Sequence, residues 1–154
     1  RGWLDADVRE IASGVIYDRG GVKVSAISVP HGDWQAFAFR FDTPDRSITF
    51  SGDTAPSPSL AAMARGTEIL VHEVYNAARV APENRPGGEQ WPEYLRTYHT
   101  SDVELGRLAA EIRPKLLVLH HVLRLGGTDA EILEHIRSAG YKGPVVVAKD
   151  LDRF

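Results

Sequence analysis

His31, Asp53 and His121 could hold a divalent metal, and each directly follows a short apolar run: Val22–Val29, Ser47–Phe50 and residues 116–119. Runs of four to eight apolar or alternating residues read as strands, and strand ends meet along one rim of a sheet. Imidazole nitrogen and carboxylate oxygen are what Zn²⁺, Mn²⁺ or Fe²⁺ accept, and one carboxylate can bridge two metals roughly 3.5–4 Å apart. The chain has no cysteine, which removes thiolate ligands, disulfides and cysteine nucleophiles together.

Each of these residues also has a plain structural reading. Asp53, in Ser51-Gly52-Asp53-Thr54, has the chemistry of a turn initiator or a helix cap, and His31 before Gly32 that of an ordinary loop histidine. The pair His120-His121 is more telling. Two imidazoles closing an apolar strand place at least one where burial without a partner costs free energy. Two further fragments carry polar groups: Val71-His72-Glu73-Val74 and Tyr98-His99-Thr100-Ser101. The first begins like a zincin helix, but Asn76 stands where the second histidine is needed, so that mechanism is excluded. In the second, His99 stands just ahead of a helix, either as a catalytic acid or as part of the helix entry. His135, among Glu131, Glu134 and Arg137, reads as solvated surface. No glycine pattern matches a dinucleotide or phosphate loop, and no nucleophile elbow is present.

The elements that position these groups follow from periodicity. Residues 11–50 read as an antiparallel meander in which residues 22–29 and 34–41 alternate at period two, with turns at 18–21 and 42–46. Beyond Asp53 the pattern changes to helices over 57–65, 101–112 and 128–139 and buried strands over 68–72, 115–120 and 144–148. Ser101 with Glu104 fits a capping box, and Gly140 is placed to end a helix. Residues 77–98, with Pro82, Pro86, Gly87, Gly88 and Pro92, read as a long irregular loop, a length usually functional or disordered. Its aromatic residues Trp91 and Tyr94, with nearby Tyr75, are candidates for shaping a pocket or for simple loop packing. At 154 residues with 43% hydrophobic content the chain suits one domain with a real core. A formal charge of −3 lacks the basic footprint of a general nucleic-acid binder. No apolar run approaches the ~20 residues of a membrane span, and no signal peptide opens the chain. The absence of cysteine fits a cytoplasmic and an exported protein alike.

Taken in order, Ser28-Val29-Pro30-His31-Gly32, Phe50-Ser51-Gly52-Asp53-Thr54, Val71-His72-Glu73, Tyr98-His99-Thr100-Ser101 and Leu117-Val118-Leu119-His120-His121 closely resemble the metallo-β-lactamase superfamily on its ribonuclease Z-like branch. The resemblance covers essentially the whole chain. It implies an α+β fold, the C-terminal half of an αβ/βα sandwich with a mixed sheet and flanking helices. It also implies two divalent metal ions, Zn²⁺ foremost with Mn²⁺ or Fe²⁺ as alternatives. By it His31 binds the first metal, Asp53 bridges both, and His121 rather than His120 binds the second. The resemblance further implies that Glu73 orients His99, which donates a proton to, or stabilises, the leaving group. In complete members a metal-bound hydroxide attacks a phosphorus or carbonyl centre.

One departure from that family is large. Its central His-x-His-x-Asp-His string occurs nowhere in these 154 residues. The expectation is a partial domain spanning residues 1–154, with the missing half upstream and with this half alone a poor catalyst. Many tRNA-processing members insert a long basic arm between the motifs matching His31 and Asp53, but here residues 32–52 are used by a hairpin. A small phosphodiester, another ester or a lactone is therefore favoured as substrate over tRNA. The competing reading is a non-catalytic half-domain that acts as an interaction or oligomerisation module, for example as a homodimer.

Overall fold

The computed structural model describes residues 8–154. These residues carry a seven-stranded sheet whose strand order follows the chain. It consists of β1 (Gly14–Arg19), β2 (Val22–Val29), β3 (Ala36–Asp42), β4 (Ser47–Phe50), β5 (Ile69–Tyr75), β6 (Leu116–Leu123) and β7 (Val145–Val147). The first four strands form the expected antiparallel meander. From β4 to β7 every pairing is parallel, so each connection must cross over, and helices fill the crossovers. These are α1 (Pro58–Ala64), α2 (Trp91–Tyr98), α3 (Asp102–Ile112) and α4 (Asp129–Ser138). The architecture is the α+β mixed sheet with flanking helices that the family resemblance implies.

Capping chemistry sets the helix boundaries. The Ser57 hydroxyl accepts from the Leu60 N–H at the start of α1, and Pro58 occupies the first turn, where a missing N–H costs nothing. At the other end of α1 the Arg40 guanidinium donates to the Met63 and Arg65 carbonyls, at 2.8 Å each. It thereby ties β3 to carbonyls the helix leaves unpaired. Ser101 and Glu104 form the predicted capping box of α3, and Thr128 and Glu131 form a second one at α4.

The main core lies between one face of β5 and β6 and the helices α3 and α4. Leu70, Leu105, Leu117, Leu119, Ile132 and Ile136 are fully buried there, and each such side chain contributes roughly 1.5–3 kcal/mol relative to exposure. A smaller cluster of Val29, Ala38 and Leu60 seats α1 on the meander. The opposite face of the sheet is apolar and open among the described residues: Phe41 and Phe50 meet edge to face at 5.7 Å and remain partly exposed. No described helix is long and apolar enough to cross a membrane.

Three sequence expectations need correction. Residues 77–98 are not irregular throughout, because two short 3₁₀ turns (Ala77–Arg79 and Gly88–Gln90) lead into α2. Pro92 sits in the first turn of that helix, a position that proline favours, so it begins α2 rather than breaking one. The sixth strand does not stop before His121 but runs on to Leu123. His135 is not simply solvated, since its Nδ1 lies 2.6 Å from Oδ2 of the buried Asp102 and links α4 to the first residue of α3.

Candidate metal centre and the Glu73–His99 pair

β4, β5 and β6 are parallel, and β2, two antiparallel steps from β4, points the same way. Their carboxyl ends therefore share one rim, where open parallel sheets place their ligands. His31 follows β2 and Asp53 follows β4, as expected from the sequence. The loops carrying them are joined by the Ala55 N–H, which donates to the Pro30 carbonyl at 2.8 Å. Gly52, between β4 and Asp53, has φ +62°, and a Cβ there would sit 2.7 Å from the Phe37 carbonyl oxygen. Only glycine accepts both the left-handed backbone and this approach, which is what lets the chain turn sharply enough to present Asp53.

His121 reaches the site by another device. Opposite Glu73 of β5, strand β6 carries two residues, His120 and His121, between the pairs His72–Leu119 and Val74–Val122. This is a β-bulge, and His121 has φ +43°, a conformation rare outside glycine. The extra residue turns His121 out to the rim, where its Nδ1 lies 3.1 Å from Asp53 Oδ1. His120 points elsewhere, and its buried Nε2 has no hydrogen-bond partner.

The two remaining motifs meet behind this pair. The His99 Nδ1 lies 3.1 and 3.2 Å from the two Glu73 carboxylate oxygens, and Glu73 is fully buried. Glu73 also accepts the Thr54 N–H at 2.9 Å, and its own N–H donates to the Ser51 hydroxyl. The Thr100 hydroxyl donates to the Thr54 carbonyl at 2.6 Å, and the Tyr75 N–H donates to the Thr100 carbonyl at 3.0 Å. Ser51-Gly52-Asp53-Thr54, His72-Glu73 and His99-Thr100-Ser101 are thus one knot of hydrogen bonds, which gives the three sequence fragments a common physical cause. Burial pushes the Glu73 carboxyl above its usual range, against the lowering effect of His99 and the Thr54 N–H. Burial alone would depress His99, but the Glu73 bond and the charges of Glu73 and Asp53 outweigh it and hold the imidazole above its ordinary value. Both shifts act alike, since the pair retains a proton to higher pH.

Asp53, His99 and His121 each offer a ligand atom within 4.8 Å of the other two. His31 stands beside them, its ring centroid 5.4 Å from that of His99. Its Nδ1 lies 2.7 Å from the Tyr98 carbonyl oxygen; a carbonyl only accepts, so Nδ1 carries the proton and Nε2 keeps a free lone pair. Imidazole and carboxylate donors without sulfur, two of the imidazoles with Nδ1 held by an oxygen, form a set that suits Zn²⁺, Mn²⁺ or Fe²⁺. The donors present fit a divalent metal.

His72 serves none of this directly. Its Nδ1 donates to the Glu73 carbonyl at 2.7 Å, and its fully buried Nε2 lacks a partner. Burial lowers its pKa from 6.5 to about 4. Below pH 6.5 the unfolded chain takes up a proton that the folded chain refuses, so stability present above that pH is lost as pH falls toward 4. The full span corresponds to about 3 kcal/mol. Urea denaturation at pH 7.5 and pH 5 should show about 2 kcal/mol of this loss, and His72→Gln should flatten the slope. An unchanged slope in the variant would remove His72 as its source.

A rim of candidate metal donors on this mixed sheet points to the class of protein. The chain belongs to the beta-lactamase superfamily, whose Beta-lactamase superfamily domain matches residues 5–122. Curated relatives carry the name ribonuclease Z. The protein of Mycobacterium tuberculosis (strain H37Rv) is 28% identical over 151 residues, covering 96% of this chain and 53% of the relative. That of Mycobacterium avium (strain 104) is 30% identical, covering 96% and 52%. Among solved structures, the metallo-beta-lactamase fold protein YhfI from Bacillus subtilis aligns with a TM-score of 0.66 at 18% identity, over 86% of this chain and 49% of that one. The short form of human tRNase Z aligns with a TM-score of 0.60 at 19% identity, over 90% and 44%. These likenesses show the metallo-β-lactamase fold, and the chain spans about half the length of the proteins just named.

Proposed function

We propose that this chain supplies the bridging and proton-donating half of a metal-dependent ester hydrolase site. The observation that carries the reading is the buried Glu73–His99 pair, whose imidazole stands within ligand distance of Asp53 and His121. In this reading His31, Asp53 and His121 would hold two divalent ions, Zn²⁺ foremost, with the Asp53 carboxylate able to serve both. The metals, when bound, supply Lewis acidity and lower the pKa of water. Glu73 holds His99 with its Nδ1 proton inward, so Nε2 faces the reaction space. Protonated there, His99 donates to the departing oxygen as the bond to phosphorus or carbon breaks. Because the His-x-His-x-Asp-His string is absent from these 154 residues, turnover requires that half of the site to be supplied.

A small phosphodiester or other ester suits the rim better than an RNA. Residues 32–52 are consumed by β3 and β4. The arginines Arg79, Arg85, Arg96 and Arg124 are each paired with a carboxylate: Glu131, Glu83, Glu93 and Asp129. Paired cations are poorly placed to neutralise a phosphate backbone.

The test is bis(p-nitrophenyl) phosphate hydrolysis with added Zn²⁺ or Mn²⁺, by this chain alone and by the chain joined in frame to a segment carrying the missing string. The first should bind metal weakly and stay silent; the second should turn over. Turnover by the chain alone would refute the division of labour. A joined protein that binds no metal would favour the interaction-module reading, to which the open apolar face around Phe41 and Phe50 lends support, and self-association measured by sedimentation would then follow.

A further inference from the structure

Helix α2 carries three aromatic residues on one face, Trp91, Tyr94 and Tyr98, and their rings form a column. Trp91 and Tyr94 stack at 5.1 Å with planes 8° apart, and Tyr94 and Tyr98 stack at 4.5 Å and 21°. The Arg85 guanidinium lies over Trp91 at the outer end. At the inner end Tyr98 meets the His31 ring edge to face at 5.2 Å and 86°. Tyr98 also lies so close over Gly32 that a Cβ there would fall inside its ring atoms.

The carboxyl end of α2 is bonded to the same loop. The Tyr98 carbonyl accepts from His31 Nδ1 at 2.7 Å, and the Thr97 carbonyl accepts the Gly32 N–H at 3.3 Å. Helix ends leave such carbonyls unpaired and partly negative, so α2 both orients His31 and selects its tautomer. A helix of eight residues does not hold its place by itself. Leu95 is its one fully buried side chain, and beside the two backbone hydrogen bonds the aromatic column adds ring contacts, Tyr98 to His31 at 5.2 Å and Tyr94 to His99 at 6.0 Å.

We propose that the column is a positioning device for His31: stacking of Trp91 and Tyr94 on Tyr98 fixes the α2 carboxyl end, and this holds the His31 lone pair on Nε2 toward the metal. The inference rests on the reading of His31 as a ligand. Tyr94 is the residue to change, because it is the middle of the column and is 41% exposed, so its removal breaks the stack without emptying the core. Nitrogen-15 spectra of the metal-free chain report the His31 tautomer, and Zn²⁺ competition against a chromophoric chelator reports affinity. Tyr94→Ala should turn a single Nδ1–H tautomer into a mixture and weaken Zn²⁺ about tenfold. Tyr94→Phe, which keeps the ring, should stay within about twofold. In a His31→Ala background Tyr94→Ala should cost nothing further, since coupled residues are not additive. If Tyr94→Ala proves poorly folded by circular dichroism, Trp91→Leu breaks the column from its outer end and should act alike. An unchanged tautomer and affinity in folded column variants would overturn the proposal, as would a full additive loss in the double variant. If His31→Ala itself leaves Zn²⁺ affinity intact, the ligand reading fails first, by a result distinct from either of these.

Discussion

Asp53→Asn should remove metal from this site and abolish hydrolysis in the joined enzyme, by about 10³-fold or more, while leaving the fold intact. The carboxylate offers two anionic oxygens, so it can serve two cations at once; the amide offers one neutral oxygen and cannot. Losing several kcal/mol of charge stabilisation corresponds to a thousandfold or greater loss in rate. Stability should barely respond, because Asp53 is part-exposed and its side chain pairs, among the described residues, with His121 at 3.1 Å, an ion pair of the kind worth at most about 1 kcal/mol near a surface. Metal content measured by emission spectrometry, beside a urea denaturation curve, separates the two. His121→Ala should also lose metal, whereas His120→Ala should not, since the bulge turns His120 away from the rim. Equal metal content in Asp53→Asn and the unmodified protein would show that the metal is held elsewhere.

How far the sequence carries one toward this site depends on the element concerned. His31 and Asp53 were legible because each ends a strand whose period-two pattern is plain, and strand ends must share a rim. The change of texture at Asp53, from alternation to helix and buried strand, marked the order of elements, while the fold class came from the ordered motifs that resemble the family. His121 was legible as a candidate, but its setting was not. Periodicity assigns every residue to one face or the other and cannot announce that β6 holds one residue more than β5 opposite Glu73. Helix α2 was hidden because its three aromatic residues and Pro92 look like loop chemistry until Pro92 is seen as a first-turn residue. The His135–Asp102 contact was hidden for a related reason: a histidine among charged neighbours reads as solvated, and its partner lies 33 positions away. What the residue patterns conveyed were local periods and caps. What they withheld were the places where two elements, each ordinary alone, are brought together.

His99 should matter in proportion to how badly the leaving group needs a proton. p-Nitrophenolate departs readily as an anion near neutral pH, whereas an alkoxide does not. If His99 donates to the departing oxygen, His99→Ala should cost little with bis(p-nitrophenyl) phosphate and about 10²–10⁴-fold with an alkyl leaving group. Glu73→Gln should show the same trend at smaller size, because the amide oxygen can still accept the Nδ1 proton but no longer offers a charge to stabilise the imidazolium. The competing role is set by the same geometry, since His99 lies within 4.8 Å of the Asp53 and His121 ligand atoms and could itself be a metal ligand. The two roles separate cleanly in the joined enzyme. A ligand's removal lowers metal content and slows all substrates alike; a proton donor's removal leaves metal content unchanged and tilts the dependence of rate on leaving-group basicity. A uniform loss accompanied by missing metal would therefore move His99 from the donor to the ligand set, and Glu73 with it, from the partner of an acid to the residue that orients a metal-bound imidazole.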